Sequence, residues 1–187
     1  EIMEEEEFAT MIDAITSQPP SLTRDKNLNT ALVYAILGSD LPVVERLLQL
    51  GADPNFIDSQ LRSPLHYASR IGSTPIVAII SDHGADPEKS DVNGNTPLHI
   101  ACTSGATDVV TYLVESAVYV DSMNKEGNTP LHLTTHGGAE AIECCLVLLE
   151  YEALPLIVNY SGQNALQYAR HHHSMNNRSG LGSLLNE

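Results

Sequence analysis

The segment Gly94-Asn95-Thr96-Pro97-Leu98-His99 decides the fold, because its last four residues recur along the chain at a fixed interval. Ser63-Pro64-Leu65-His66 precedes the Thr-Pro-Leu-His part by 33 residues, and Thr129-Pro130-Leu131-His132 follows it by 33. Weaker copies, Thr30-Ala31-Leu32-Val33 and Asn164-Ala165-Leu166-Gln167, lie at the two ends of this series. A period of this length predicts a stack of small repeats rather than one globular core.

Each copy is typical of the start of a helix. Proline at the first helical position lacks only an N–H that would have no partner there, and the Ser or Thr before it can cap the helix. Gly72, Gly105 and Gly138 indicate where this first helix ends. Apolar residues then recur at helical spacing, which predicts a second helix in each repeat. These second helices are expected at Leu41–Leu50, Thr74–Asp82, Thr107–Ser116 and Ala141–Tyr151.

These motifs resemble the ankyrin repeat, whose hallmark is Thr-Pro-Leu-His followed by x-Ala at this period. The resemblance implies an all-α solenoid of about five helix-turn-helix repeats with short β-turn fingers and an N-terminal half-repeat cap. Residues 1–24 would form an acidic segment and that cap, and residues 174–187 a C-terminal cap or tail. The repeats are expected at 25–57, 58–90, 91–123, 124–158 and, as a partial copy, 159–173.

The charge and the cysteine content restrict the class of partner and the cellular location that we expect. The chain has 24 acidic and 9 basic residues, a net charge of −15, which disfavours direct nucleic-acid binding and favours a basic protein partner. Three cysteines form no disulfide framework, and no apolar run is long enough to span a membrane, so we expect an intracellular protein, cytoplasmic or nuclear. Because the chain begins with Glu1, we expect it to be a piece of a longer protein. We also expect it to act as a monomer or as part of a hetero-complex.

We interpret the histidines and cysteines as structural residues rather than as catalytic or metal-binding ones. His66, His99 and His132 lie one repeat apart, so they predict a ladder and not a convergent metal site; the resemblance implies that each binds its own Ser or Thr and neighbouring backbone. The run from His171 to His173 is interpreted as partner surface, with a metal site as the less favoured alternative. Cys144 and Cys145 are predicted to be buried packing residues. We expect no catalytic site, metal or cofactor.

The resemblance also implies where a partner would bind. Ankyrin arrays bind proteins through finger tips and the ends of their first helices, on the concave face. Lys26, Asn27 and Leu37 are such positions in the first repeat, and Arg62, Arg70, Ile71 and Tyr160 are the expected anchors. The remaining candidates are Ser59, Gln60, Val92, Asn93, Asn95, Thr103, Ser104, Lys125, Glu126, Asn128, His136, Ser161, His171 and His172. The predicted function is a protein-interaction adaptor or scaffold; the alternative is a regulatory or targeting domain of a larger enzyme or lipid-transfer protein.

Overall fold

The computed structural model of the protein describes residues 22–134 and 139–176, and within them it contains nine helices. The predicted half-repeat cap at residues 8–18 and the tail beyond residue 176 lie outside the described residues. The helices are α1 Leu22–Leu37, α2 Leu41–Gln49, α3 Pro64–Ile71, α4 Thr74–Asp82, α5 Pro97–Ser104, α6 Thr107–Glu115, α7 Pro130–Leu133, α8 Ala139–Glu150 and α9 Ala165–Asn176.

The helices stack in two layers. Each odd-numbered helix packs against the next odd-numbered one, and α2, α4, α6 and α8 pack in the same order beside them. We call the first set the inner layer and the second set the outer layer. Four turns, which we call fingers, lead from the outer layer back to the inner layer at residues 58–62, 91–95, 124–128 and 159–163. This arrangement confirms the all-α solenoid with β-turn fingers.

The predicted helix boundaries follow the local chemistry. Pro64, Pro97 and Pro130 each occupy the first helical position, as expected. Gly72 and Gly105 end α3 and α5 in the left-handed conformation, with φ of 73° and 69°. Glycine adopts this conformation without a side-chain clash, and its N–H then bonds the last carbonyls of the helix. Among the outer helices, α4 has the predicted bounds, whereas α2, α6 and α8 end one residue earlier than predicted and α8 begins two residues earlier.

The core lies between the two layers. Leu65, Leu98 and Leu131, which follow the three prolines, are all almost fully buried. The small residues Ala35, Ala68, Ala101 and Ala169, and Thr134 in the same place, are buried as well. Small side chains at this position let the inner and outer helices approach closely. Because each repeat contacts mainly its neighbours, the core is a continuous row of such contacts.

The start of the array differs from the prediction. Lys26 and Asn27 were expected at a finger tip, but both lie inside the 16-residue helix α1. Thr30 is followed by Ala31 where the three central repeats have proline, and no glycine occurs between residues 22 and 29, so nothing stops the helix from extending towards the N-terminus. The first described finger is therefore the one at residues 58–62.

A second set of side chains joins the loops that follow the outer helices. Asn55, Glu88 and Asp121 each accept a hydrogen bond from the backbone N–H 31 to 33 residues later, in the next repeat. In the first repeat α1 supplies the acceptor of the corresponding bond: Asn29 Oδ1 accepts from the Asp53 N–H at 2.7 Å. The extended helix thus takes over the contact that a preceding loop would make.

We expect Leu98→Ala to lower the free energy of unfolding by about 2–5 kcal/mol, because the variant opens a cavity between the layers. Urea denaturation followed by circular dichroism measures this loss. The matched control is Leu146→Ala on the outer helix α8, where the leucine is 61% exposed and the cost should stay within about 0.5 kcal/mol. Equal losses in the two variants would contradict the assigned core.

Candidate functional site

The side chain of the first residue closes the turn of each finger. The first residue of the finger, Asp58, Asp91, Asn124 or Asn159, accepts hydrogen bonds through Oδ1 from the backbone N–H groups two and four residues later. All eight distances fall between 2.8 and 3.0 Å. Asp and Asn are short enough to close such a turn on their own backbone. The four fingers therefore share one conformation although their tips differ.

Backbone hydrogen bonds join each finger to the next. Val92 N–H donates to the Gln60 carbonyl at 2.9 Å, Lys125 N–H to the Asn93 carbonyl at 2.9 Å, and Tyr160 N–H to the Glu126 carbonyl at 3.0 Å. We call this series the finger ladder. Side chains at the finger bases add to it: Asn124 Nδ2 donates to Asn95 Oδ1 at 2.9 Å, and Asn159 Nδ2 donates to Asn128 Oδ1 at 2.8 Å. The ladder fixes the spacing of the exposed tips.

The fourth finger residue has positive φ in all four copies. It is glycine at 94, 127 and 162, but Leu61 in the first finger, with φ of 56°. A Cβ on Gly94 would lie 2.9 Å from the Lys125 nitrogen, so the next finger packs directly against that glycine. Leu61 is strained by its left-handed backbone and keeps 44% of its surface exposed.

The three buried histidines link each inner helix to the following finger. Backbone N–H groups of Ser63, Thr96 and Thr129 donate to Nδ1 of the histidine three residues later, at 3.1 to 3.2 Å. Since an N–H can only donate, Nδ1 is the acceptor and the ring proton sits on Nε2. Nε2 then donates to the carbonyl of the last residue of the next finger at 2.9 to 3.1 Å. The histidine ladder predicted from the sequence is confirmed.

Burial sets the charge state of these rings. Desolvation lowers the pKa of His99 to about 4, despite the hydrogen bond to the Asn128 carbonyl, and it also lowers the pKa values of His66 and His132. All three rings are therefore neutral at pH 7, as their hydrogen bonds require.

A compact polar cluster lies beside the first finger. Arg62 forms an ion pair with Asp58 at 2.6 Å, and the Tyr67 hydroxyl donates to the same carboxylate at 2.6 Å. The Arg62 and Arg70 guanidinium carbons lie 4.9 and 5.5 Å from the Tyr67 ring centroid. Burial by itself raises the pKa of Asp58, but hydrogen bonds from Tyr67, Arg62 and the backbone lower it to about 2. Burial and the bond to Asp58 raise the pKa of Tyr67 to about 12.

The predicted partner-binding residues divide by exposure. The exposed ones lie on fingers or at inner-helix ends, and the half-buried ones at the finger bases or against the core. The exposed group is Ser59, Gln60, Arg70, Asn93, Thr103, Ser104, Lys125, Glu126, Tyr160, Ser161 and His171; the half-buried group is Arg62, Ile71, Val92 and Asn95. His136 lies outside the described residues, and for His172 the structure describes only the backbone, within α9.

Three of the predicted contact residues have structural roles that the sequence did not reveal. Asn128 is buried and bonds both Glu126 and Asn159, so it holds the finger bases together and is not exposed to a partner. Arg62 is held by Asp58, which reduces its capacity to anchor a partner. Ile71 is half-buried and packs against the core, so its truncation would also destabilise the array.

Sequence reasoning missed Leu61, Tyr34 and Tyr67 near the same surface. Tyr34 is 46% exposed and precedes the exposed Leu37 by one helical turn. Leu61 had a detectable signal, since it stands where the other fingers have glycine. Tyr67 had no such signal in the sequence, because its contribution to this surface depends on the two arginines that the fold brings to its ring.

The cysteines behave as predicted for packing residues. Cys144 is buried and Cys145 is half-buried, and burial raises the pKa of the Cys145 thiol. A raised pKa favours the unreactive thiol over the thiolate. Over residues 22–134 and 139–176, no helix combines the length and apolar character needed to cross a membrane.

We expect Gly94→Ala to destabilise the array by clearly more than Gly84→Ala. Both glycines have positive φ, 78° and 86°, so both variants pay the same left-handed strain of about 1 kcal/mol. Only the Cβ at position 94 meets another finger, whereas a Cβ at position 84 has nothing within 4 Å. The difference between the two urea midpoints therefore measures the finger-to-finger contact, and equal midpoints would show that the contact is absent.

We expect acid to destabilise the array below about pH 6.5. The unfolded His99 takes up a proton near pH 6.5, while the folded ring resists it until about pH 4. Stability is thus complete above pH 6.5 and falls as the pH decreases towards 4, by on the order of 2 kcal/mol for His99 at pH 5. Urea unfolding at several pH values measures this loss, and His99→Gln should flatten the dependence. An NMR titration giving His99 an ordinary pKa would contradict the explanation.

Comparison with known proteins identifies the repeat. A family model for ankyrin repeats (three copies) matches residues 32–124, which include the end of α1, all of α2 to α6 and the fingers at 58–62 and 91–95. No curated protein matches the chain. Ankyrin repeats are protein–protein interaction modules, and their fold is not a catalytic one. The periodic motif, the stacked helix pairs and this match together show that the chain belongs to the ankyrin-repeat family.

Proposed function

We propose that this chain is a protein-binding module that holds its partner on the fingers and the inner-helix ends. The observation that carries this proposal is the finger ladder, which holds variable side chains in equivalent, fixed positions. At the second finger position the residues are Ser59, Val92, Lys125 and Tyr160, whereas the turn-forming residue just before each is always Asp or Asn. A rigid frame with varied tips suits recognition, because little conformational entropy is lost on binding.

Several exposed side chains on this face are of types that anchor interfaces. Tyr160 is 75% exposed at the tip of the last described finger, and Arg70 is exposed at the end of α3. Tyrosine and arginine are enriched among the residues that dominate binding energy. Tyr34 and Leu37, both exposed on α1, add an apolar area at the other end of the face. The face thus combines aromatic, cationic and apolar groups.

The net charge of −15 favours a basic partner for the chain as a whole. The net charge is not spread evenly over the chain, so the charge of the partner segment that contacts the finger side depends on the charges of that side.

We expect a double variant Lys125→Ala/Tyr160→Ala to weaken binding at least tenfold, which corresponds to loss of one or two anchor contacts. The probe is the tightest peptide selected from a display library of random peptides with the full chain as bait, measured by calorimetric titration. The matched control is Glu143→Ala/Leu146→Ala on the outer helix α8, which should bind as the unaltered chain does. A library that yields no binding peptide, or a loss confined to the outer variant, would contradict the proposal.

A further inference from the structure

Charged side chains are distributed unequally between the two layers. Over residues 27–134 and 141–171, the outer helices, with the Asp40 N-cap and the loops that follow them, contain twelve carboxylates and two cations, Arg46 and Lys89. The fingers and the inner helices contain three carboxylates and four cations. The outer carboxylates are Asp40, Glu45, Asp53, Asp82, Asp86, Glu88, Asp108, Glu115, Asp121, Glu143, Glu150 and Glu152, and the cations on the finger side are Arg62, Arg70, Lys125 and Arg170.

Two of the three carboxylates on the finger side are already occupied. Asp58 is paired with Arg62 and also bonds the Tyr67 hydroxyl. Asp91 is buried, and its Oδ1 closes the second finger. Glu126 is the one exposed carboxylate among the described residues of this side. A partner approaching the fingers therefore meets an excess of positive charge, despite the acidity of the whole chain.

Arg70 is the cation best placed to bind a partner. Its side chain is exposed, and its guanidinium forms no hydrogen bond or ion pair within the described part of the chain. It lies over the Tyr67 ring, which Asp58 holds in place through the hydroxyl. A guanidinium stacked on a fixed aromatic ring is partly ordered before binding, and its planar set of donors matches a carboxylate.

The neighbouring inner helices surround Arg70 with two kinds of group. Leu37 and Thr103 hold the corresponding place in the preceding and following repeats, 33 residues away on either side, and both are exposed. Tyr34 extends the apolar area by one turn of α1. Ser104 follows Thr103, so hydroxyl groups lie on the other side of the arginine. Along the array, the surface changes from apolar to cationic to hydroxyl-bearing.

We propose that this face binds an acidic segment of a partner protein, with a carboxylate on Arg70 and an apolar side chain against Tyr34 and Leu37. The inference rests on the proposed function and specifies the chemistry of the partner. The exposed hydroxyl group of Ser104 supplies a further donor for the carboxylates of such a segment, whereas the Thr103 hydroxyl already donates to the His99 carbonyl at 2.9 Å. The acidic outer layer repels the same segment, which orients the encounter towards the finger side.

The test uses the random-peptide library with the full chain as bait and compares the charge of the selected peptides with that of the starting library. We expect enrichment of Asp and Glu together with an apolar residue. Arg70→Ala should weaken the selected peptides by about tenfold, since a charge-assisted hydrogen-bonded pair is lost. Arg70→Lys should restore only part of the affinity, because lysine lacks the planar fork. Arg46→Ala, which removes an exposed arginine from the outer layer, is the matched control and should have no effect.

A second selection with Arg70→Glu separates charge from shape. We expect the enrichment of acidic peptides to disappear there while circular dichroism shows an unchanged fold. Enrichment of Lys and Arg with the unaltered chain would overturn the inferred sign of the partner and leave the proposed function intact. Acidic peptides that bind Arg70→Ala with full affinity would overturn the assigned site. A library without any binder would instead overturn the proposed function, and with it this inference.

Discussion

The hydrogen bond from each buried histidine to the next finger connects almost every part of this structure. On one side, Nδ1 accepts from the residue that starts the inner helix; on the other, Nε2 donates to a carbonyl one repeat later. One neutral ring thereby fixes a helix start and the base of the following finger. The leucine after each proline is placed by the same helix start, and the finger ladder is placed by the same finger base. Repeats joined in this way transmit their geometry only to neighbours, which is the property of a solenoid.

The sequence predicted the parts of the fold that depend on local chemistry repeated in phase. Proline, the capping hydroxyl and glycine act within one repeat, so the starts of α3, α5 and α7 and the ends of α3 and α5 could be read directly. The start of the array could not be predicted in this way, because it depends on the absence of a proline. Without proline after Thr30, α1 extends through the place of a finger, and Asn29 supplies the bond to Asp53.

The candidate surface was less predictable than the fold, since it depends on contacts between repeats. Position in the repeat correctly placed Arg70 and Tyr160 on the surface. It could not show that Asn128 would be buried by Asn159 from the next finger, or that Asp58 would hold Arg62. Net charge was the weakest guide, because a sum over the chain contains no information about which layer carries it. In a two-layer array the two faces differ in charge while sharing one core.

The finger ladder also has a consequence for how such a protein evolves. Its bonds between neighbouring fingers run from backbone N–H to backbone carbonyl, and each turn is closed by its first residue. The side chains at the second and third finger positions take part in neither set of bonds, although Glu126 accepts a separate bond from Asn128. Substitutions at the other tip positions can therefore alter recognition at little cost in the free energy of folding. Mutations in this chain therefore fall into two classes. At a few framework positions almost any substitution causes misfolding, whereas at the finger tips substitutions can accumulate and change binding specificity.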